Sequence, residues 1–333
     1  TMPAVYSGFG GTAGSTTSYY SGGGNITINA QISAANRAVT LAYGTTMYAN
    51  AGQISITGQN TNATVASPGI QINDIGASTN ASEFFSSSAT VPAISFSGTV
   101  AGTGVAVQSG YYASAANAVY IQATGAGGVS FSGTTGTLTN NTPEVGLNAT
   151  NVLSVGPISI TTSTTTATRG GYFYSQLASA GTTGYESNLG YCLVATCPLS
   201  QVVTTSADIT FNINREASYN GNVANYINTS GIVRFLSSMT GGFLSQMPTL
   251  GDRFSADCGG LYVGRDQSSN TWTYSSPRAY SIAGSIKIYA GTASIAENMT
   301  ATGAGSEILV KATGDIATSG GTSGTPRTLQ TNA

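Results

Sequence analysis

The sequence predicts an all-β fold, a parallel β-helix or solenoid, from its composition, its short alternating segments and their repetition. Among 333 residues there are 44 glycines, and only 7% of the side chains are charged. An ordinary soluble domain carries about 25% charged residues. The hydrophobic share is 40%, which separates the chain from disordered sequences of low hydrophobicity. We therefore expect a folded chain whose surface is built from uncharged polar residues.

Four consecutive segments show the strand pattern most clearly. Each alternates apolar residues with Ser, Gln or Tyr and ends in small polar residues, usually with Gly: AISFSGT (93–99), GVAVQSG (104–110), AVYIQATG (118–125) and GVSFSGTTG (128–136). Alternation with a period of two predicts a half-buried strand, and the Gly that follows predicts a turn. One such strand buries only two or three medium side chains, so it needs the same pattern stacked above and below it.

Similar segments cover most of residues 25–165. The further ones are NITINAQI (25–32), AVTLAYG (38–44), QISITGQ (53–59), GIQINDIG (69–76), VGLNATN (145–151) and ISITTST (158–164). Taken in pairs, the segments start near 25, 53, 93, 118 and 145, and most pairs recur after roughly 25 to 28 residues. This period predicts one coil, meaning one full turn of a parallel β-helix; an antiparallel sandwich is the alternative.

Charge decides between these two folds. The first 165 residues contain only four charged side chains: Arg37, Asp74, Glu83 and Glu144. In a solenoid, like residues stack from coil to coil, and stacked Ser, Thr, Asn and Gln avoid the repulsion of stacked charges. The scarcity of charge therefore favours the solenoid.

The chain divides into five predicted regions. They are a Gly/Ser/Tyr leader (1–24), β-helix coils (25–165), an elaborated region with the cysteines and most charges (166–283), further β-helix coils (284–318) and a tail (319–333). We expect residues 166–283 to be an insertion near the C-terminal third, with a short helix over 231–239. Insertions in solenoids map to loops on one face, which is often the binding face.

The leader has two interpretations. It is either a flexible segment or an arm that docks on a neighbouring subunit, with Tyr6, Phe9, Tyr19 and Tyr20 as anchors. It lacks the basic start and the unbroken apolar core of a signal peptide.

Several segments resemble a known family. GNITINA (24–30), GQISITG (52–58), SIKIYAG (285–291) and EILVKATGDI (307–316) resemble the degenerate repeats of filamentous-haemagglutinin-like adhesins and other β-helical bacterial surface proteins. The resemblance covers about residues 22–165 and 284–318. It implies a right-handed parallel β-helix, export across the bacterial envelope, an extracellular or cell-surface location, and a role in adhesion or surface coating. The partners we expect are other copies of the chain and host or biofilm glycans. The chain departs from that family in lacking its Asn-Pro-Asn secretion motifs and in the large region 166–283.

The composition argues against most kinds of catalytic, metal-binding and nucleic-acid-binding site. The chain has no His, which excludes Ser-His-Asp triads, Cys-His pairs and His-ligated metals. The nearest acidic cluster, Asp252, Asp257 and Asp266 with Arg253 and Arg265, matches no repeat spacing, and we expect ion pairs there in place of an active site. A net charge of −2 argues against nucleic-acid binding. We expect no cofactor, no metal and no membrane span.

The three cysteines predict a disulfide. An exported chain without CxxC favours a structural bridge over a metal or redox site. The connectivity stays open between two alternatives. Either Cys192 pairs with Cys197, or a long-range bridge forms to Cys258.

Two functions from different classes follow. The first is a structural subunit of an extracellular filament, surface fibre or surface layer that assembles with itself through the β-helix ends. The second is a carbohydrate-active β-helix enzyme, a lyase or glycosidase. An enzyme needs a groove with paired acids. A fibre needs stacked rows of uncharged polar side chains and terminal coils that fit each other. The repeats provide these features, so the structural function is preferred.

Overall fold

The chain is all-β in a computed structural model that describes residues 4–7, 16–73, 80–110, 118–136, 143–164, 172–175, 187–190, 205–218, 225–248, 252–318 and 328–331. These ranges contain thirty-one strands and no helix. The strands pair in parallel within five sheets.

Three long sheets and two short ones contain all the strands, which are numbered here in chain order. Sheet one consists of β1 (Val5–Ser7), β4 (Val39–Leu41), β7 (Ile70–Ile72), β10 (Val107–Ser109), β13 (Val145–Leu147), β16 (Tyr172–Ser175) and β19 (Arg215–Ser218). Sheet two consists of β2 (Thr17–Tyr20), β5 (Thr45–Tyr48), β8 (Ser82–Ser86), β11 (Val119–Ala123), β14 (Thr150–Ser154), β17 (Ser187–Gly190), β20 (Asn225–Ile227) and β22 (Asp252–Phe254). Sheet three consists of β3 (Ile26–Ile32), β6 (Ile54–Asn60), β9 (Ile94–Val100), β12 (Val129–Thr135), β15 (Ile158–Thr164), β18 (Ile209–Asn212), β21 (Ile232–Leu236), β23 (Gly260–Val263), β26 (Ser285–Ala290) and β29 (Ile308–Ala312). Sheet four consists of β24 (Thr273–Ser275), β27 (Thr292–Ile295) and β30 (Ile316–Thr318), and sheet five of β25 (Tyr280–Ile282), β28 (Met299–Ala301) and β31 (Leu329–Thr331).

The strand order shows how the chain winds. Through the first seven coils, consecutive strands enter sheet one, sheet two and sheet three in turn, so that neighbours within a sheet are three strands apart in the sequence. In the last coils, sheets four and five take the places of sheets one and two in this order. Long parallel sheets with this connectivity fit a β-helix or solenoid, as predicted from the repeats. The ten strands of sheet three mark ten coils within the described residues.

The register of sheet three corrects the predicted period. Residues 94–99 of β9 stand beside residues 129–134 of β12, and the sequence Ser-Phe-Ser-Gly-Thr repeats between them position by position. The segments near 104 and 118 lie on sheets one and two instead, in β10 and β11. One coil therefore contains three strands where the pairwise prediction placed two. The sequence missed this because strands of all three sheets share the same alternating pattern.

Two inward columns of sheet three form the centre of the core. The first contains Ile26, Ile54, Ile94, Val129, Ile158, Ile209, Val233, Leu261, Ile286 and Ile308, and the second contains Ile28, Ile56, Phe96, Phe131, Ile160, Phe211, Phe235, Val263, Ile288 and Val310. Aromatic rings stack along the second column. Phe96 and Phe131 lie 5.3 Å apart between centroids, and Phe211 and Phe235 lie 4.6 Å apart. Offset stacks of this kind add to the burial of apolar area.

Glycine lines one corner of the coil. Gly58, Gly98 and Gly133 follow one another at one position of sheet three. A Cβ at Gly98 would clash with the carbonyl of Ala106, where the next part of the coil passes. The close approach of the two backbone segments requires glycine there.

The helix predicted over residues 231–239 is wrong. Residues 232–236 form β21, whose Val233 and Phe235 are buried while Ile232, Arg234 and Leu236 are only partly so. The stack of Phe235 on Phe211 stabilises the strand, so tertiary packing overrides the weak local preference.

The insertion predicted over 166–283 is not confirmed. Of the strands described in this range, β16 to β23 pair within sheets one to three, and β24 and β25 begin sheets four and five, where they pair with strands of the following coil. These strands continue the solenoid.

Candidate functional site

Small hydroxyl side chains cover one outward column of sheet three over the first six coils. We name this column the hydroxyl ladder; it contains Thr27, Ser55, Ser95, Ser130, Ser159 and Thr210. Within it the Ser95 hydroxyl donates to the Ser55 hydroxyl at 3.3 Å. A second outward column beside it contains Asn29, Thr57, Ser97, Ser132, Thr161 and Asn212. The result is an outer face of uncharged hydrogen-bonding groups.

The same column changes character in the next coils. Thr210 is followed in register by Arg234, Tyr262 and Lys287, which we name the basic ladder. The Arg234 guanidinium lies 5.7 Å from the centre of the Tyr262 ring, and the Lys287 ammonium lies 5.4 Å from it. A cation from each neighbouring coil thus interacts with one aromatic ring.

Each cation on this part of the face also has an acidic partner. Arg234 pairs with Asp208 at 2.6 Å, and Lys287 pairs with Glu307 at 2.5 Å. Lys311, on the second outward column, pairs with Asp266 at 2.7 Å. The hydrogen bond from Lys287 to Glu307 raises the pKa of that lysine, and the bond from Lys311 to Asp266 raises the pKa of Lys311 in the same way. Each of these three cations therefore has its charge neutralised locally.

The two outermost coils have open strand edges. β1, β2 and β3 are edge strands of sheets one, two and three, and β29, β30 and β31 are edge strands of sheets three, four and five. No described strand pairs with their outer sides. An edge strand presents unpaired N–H and C=O groups that another strand can pair with.

Apolar side chains are exposed at the same two ends. Ile286 and Ile288 are fully buried, whereas Ile308 and Val310, which continue their columns in the last coil, are only partly buried. Exposed apolar residues on β30 and β31 are Ile316 at 53% and Leu329 at 50%. At the other end, the core-facing isoleucines Ile26, Ile28 and Ile32 of β3 are also only partly buried. A cross-section of the core is therefore accessible at each end of the described solenoid.

The predicted docking aromatics lie in the first coil where the structure describes them. Tyr6 is in β1, which pairs with β4, and Tyr19 is in β2 and packs against the core. Tyr20 is 73% exposed and stacks on Tyr48 of the next coil, with 5.3 Å between ring centroids. Phe9 lies outside the described residues. Residues 5–7 and 17–20 are thus strands of the solenoid, and their docking on another subunit stays a prediction.

The aromatic column of sheet two is anchored by a partly buried hydrogen bond. Tyr48, in register between Tyr20 and Phe85, donates its hydroxyl to Glu83 at 2.6 Å. Burial raises the pKa of Tyr48, and the hydrogen bond to Glu83 raises it further. The tyrosine therefore remains a neutral donor to the carboxylate of the neighbouring coil.

Of the three cysteines, only Cys258 falls within the described residues. Its thiol is free and buried, and its Sγ donates to the carbonyl of Gly260 at 3.3 Å. Burial raises the pKa of the Cys258 thiol to about 11. Cys192 and Cys197 lie outside the described residues, so the predicted disulfide stays a prediction.

The acidic cluster is dispersed among structural contacts. Asp252 is buried in β22, and its backbone carbonyl accepts from Arg253 at 3.3 Å and from Arg278 at 3.4 Å. Arg265 donates to the carbonyl of Ser237 at 2.8 Å, and Asp266 is the partner of Lys311. Within the described ranges, no group of three Cys, Asp or Glu side chains is placed to hold a metal ion. No helix that could cross a membrane occurs in the described portion of the chain.

Sequence analysis missed the basic ladder. Its signal was present in the alignment of VRF (233–235), LYV (261–263) and IKI (286–288), where an outward Arg, Tyr and Lys take one position between two apolar residues. The prediction of an insertion hid this alignment, because it removed two of the three segments from the repeat.

No protein-family model, no curated protein and no solved structure matches the chain. A proposal about function therefore depends on the fold, the outward ladders and the strand edges of the terminal coils.

Proposed function

We propose that this chain is a structural subunit of an extracellular bacterial filament or surface fibre, in which subunits join head to tail through their terminal coils. The observation that carries the proposal is that, among the described strands, three edges at each end have no partner strand and a cross-section of core is accessible. A second copy supplies what each end lacks.

The two ends complement each other in backbone direction. All strands within a sheet run parallel, so β29, β30 and β31 of one copy can pair in parallel with three strands of the first coil of another. Such a contact joins different surfaces of the two copies. A heterologous contact of this kind propagates as a filament when its rotation does not close a ring.

The contact depends little on charge. The first 36 residues contain no charged side chain, and Lys311 of the last coil is already paired with Asp266. Backbone pairing and apolar burial are screened little by salt. We expect assembly in both low and high salt.

The proposal includes a right-handed coil and a location outside the cell. Connections between parallel strands of one sheet are right-handed in about 98% of cases. The nearly uncharged ladders and the resemblance to bacterial surface β-helices support the location.

Charged substitutions at the open end test the proposal. Ile316→Lys and Leu329→Lys place ammonium groups at side chains that are already half exposed, so the fold should survive. In sedimentation velocity the parent should form large species, and the double variant should sediment as a monomer. Val155→Lys is the matched control, because Val155 is 47% exposed in the middle of the solenoid; this variant should assemble like the parent.

The proposal fails if the parent sediments as a monomer at high concentration in both low and high salt. It also fails if the double variant assembles as well as Val155→Lys does.

A further inference from the structure

A cleft of about 440 Å³ opens beside the last two coils of sheet three. It lies between the loop that follows β23 and the ends of β26 and β29. Its lining includes Asp266, Gln267, Asn270, Tyr289, Lys311 and Thr313. The basic ladder does not account for it, and only its β29 side borders a strand edge used for assembly.

The loop over the cleft is held by hydrogen bonds within itself and to two other coils. Gln267 donates to the carbonyl of Thr240 at 2.6 Å and to the side-chain oxygen of Asn270 at 3.0 Å. The buried Asn270 amide donates to the carbonyl of Arg265 at 2.9 Å, and the Thr313 hydroxyl donates to the carbonyl of Asn270 at 2.9 Å. A wall fixed in this way loses little conformational entropy when a ligand binds.

Tyr289 supplies the aromatic wall of the cleft. Its backbone carbonyl accepts a hydrogen bond from the indole N–H of Trp272 at 3.1 Å, and this bond holds β26 in position. In the preceding coil Gly264 lies next to Tyr289, with a φ of +84°, and a Cβ there would clash with the Tyr289 carbonyl. Gly264 therefore places no side chain beside Tyr289, which is partly exposed.

The charged groups of the cleft cancel each other. Lys311 contacts both carboxylate oxygens of Asp266, at 2.7 and 3.0 Å, and both side chains are more than half exposed. A site for an anion would need an excess of positive charge, and a site for a cation an excess of negative charge. This cleft instead offers a neutral set of donors and acceptors beside a phenol ring.

We propose that this cleft binds a neutral saccharide unit of a glycan. A pyranose ring has an apolar face that can lie on Tyr289 and a rim of hydroxyls that can bond to Asp266, Lys311 and Gln267. A few placed polar groups beside an aromatic surface are typical of specific small-molecule sites. The cleft is complete within one chain, so this inference goes beyond the assembly function and does not depend on it.

Trp272 provides the readout, since it is the only tryptophan and its indole is bonded to the Tyr289 backbone. The probes are cellohexaose and chitohexaose as neutral glycans and hexagalacturonate as an anionic one. At least one neutral probe should change the tryptophan emission saturably, with a matching calorimetric titration. Hexagalacturonate should bind at least ten-fold more weakly.

Three variants locate the site. Tyr289→Ala should weaken binding at least ten-fold, and Tyr289→Phe should retain it within three-fold because the ring remains. Tyr262→Ala is the control in the neighbouring coil; its ring already interacts with two cations, so its loss should leave binding unchanged.

The proposal is overturned if no neutral probe binds, if hexagalacturonate binds most tightly, or if Tyr289→Ala binds like the parent with an unchanged melting temperature. Sedimentation separates this test from that of assembly. Tyr289→Ala should still assemble; if it keeps its melting temperature but loses both assembly and binding, the cleft belongs to the subunit contact and the saccharide proposal fails.

Discussion

The outer face of sheet three differs sharply between the first six coils and the last four. In the first six coils, the hydroxyl ladder is an outward run of Ser and Thr from Thr27 to Thr210. In the last four coils, the same column contains Arg234, Tyr262, Lys287 and Leu309. Beneath both regions the inward columns are equally apolar.

This difference shows what parallel stacking permits. Strands of a sheet lie about 4.8 Å apart, so each outward side chain meets its equivalent from the next coil. Small hydroxyls can repeat indefinitely at that spacing, because neighbours hydrogen-bond to each other or to water. Charged residues cannot repeat, and here two of them alternate with Tyr262 and pair with Asp208 and Glu307.

The largest expected effect concerns the core that both regions share. Phe131→Ala in the first six coils and Phe235→Ala in the last four should each lower the free energy of unfolding by about 3–5 kcal/mol, since both rings are buried and stacked. Urea titration of both variants measures this. A loss below about 1 kcal/mol at either position would show that the two regions do not share one kind of core.

The next effect concerns the glycine corner, which is shared by β6, β9 and β12 of the first six coils. Gly98→Ala should destabilise the fold by about 1–3 kcal/mol, because the added methyl group clashes with the Ala106 carbonyl. The last four coils have Ala290 and Ala312 paired at the corresponding corner. Gly22→Ala is the control, since a methyl group at Gly22 would have no other atom within 4 Å, and it should melt like the parent. Equal melting of both variants would contradict the close approach.

Much of the fold was predictable because it depends on local pattern. The alternation in residues 93–99 and 128–136 predicted strands that the structure contains as β9 and β12. The number of strands in a coil was not predictable, because β10 and β11 show the same alternation on other sheets. The strand at residues 232–236 was missed since its register depends on the distant Phe211.

The candidate sites were less predictable than the fold. The cleft at Tyr289 requires a loop, two strand ends and a missing side chain at Gly264, which are dispersed over about fifty residues. The place of β1 and β2 in the first coil was not predicted, because the leader was interpreted as a flexible segment or as an arm that docks on another subunit. Tyr19 and Tyr20 alternate like any short strand, and only pairing with β5 identifies their place.

A smaller effect tests the ladder rule itself. Ser95 and Ser130 are in register, so Ser95→Lys with Ser130→Lys stacks two ammonium groups, whereas Ser95→Glu with Ser130→Lys stacks a pair of opposite charges. The like-charge variant should be less stable by about 1 kcal/mol at low salt. The difference should shrink in 1 M salt, where the Debye length is about 3 Å. Equal stability at low salt would show that the hydroxyl ladder is not selected against charge.

The smallest effect concerns the Lys287–Glu307 pair. The pKa of Lys287 is raised on folding, so its contribution is present below the ordinary lysine value of 10.5 and is lost as the pH rises through the folded-state value. Thermal melts of the parent and Lys287→Met should therefore differ at pH 8, and the difference should shrink as the pH rises above 10.5. A difference that persists unchanged at high pH would mean that the pair contributes nothing.

Cryo-electron microscopy of the assembled parent tests the head-to-tail account most directly. If ten coils per subunit continue from one copy to the next, the filament should show a coil spacing of about 4.8 Å and a subunit repeat of about 48 Å along its axis. β29 of one copy should then lie beside a strand of the first coil of the next. Filaments in which subunits associate side by side, or end faces that remain free in every particle, would contradict it.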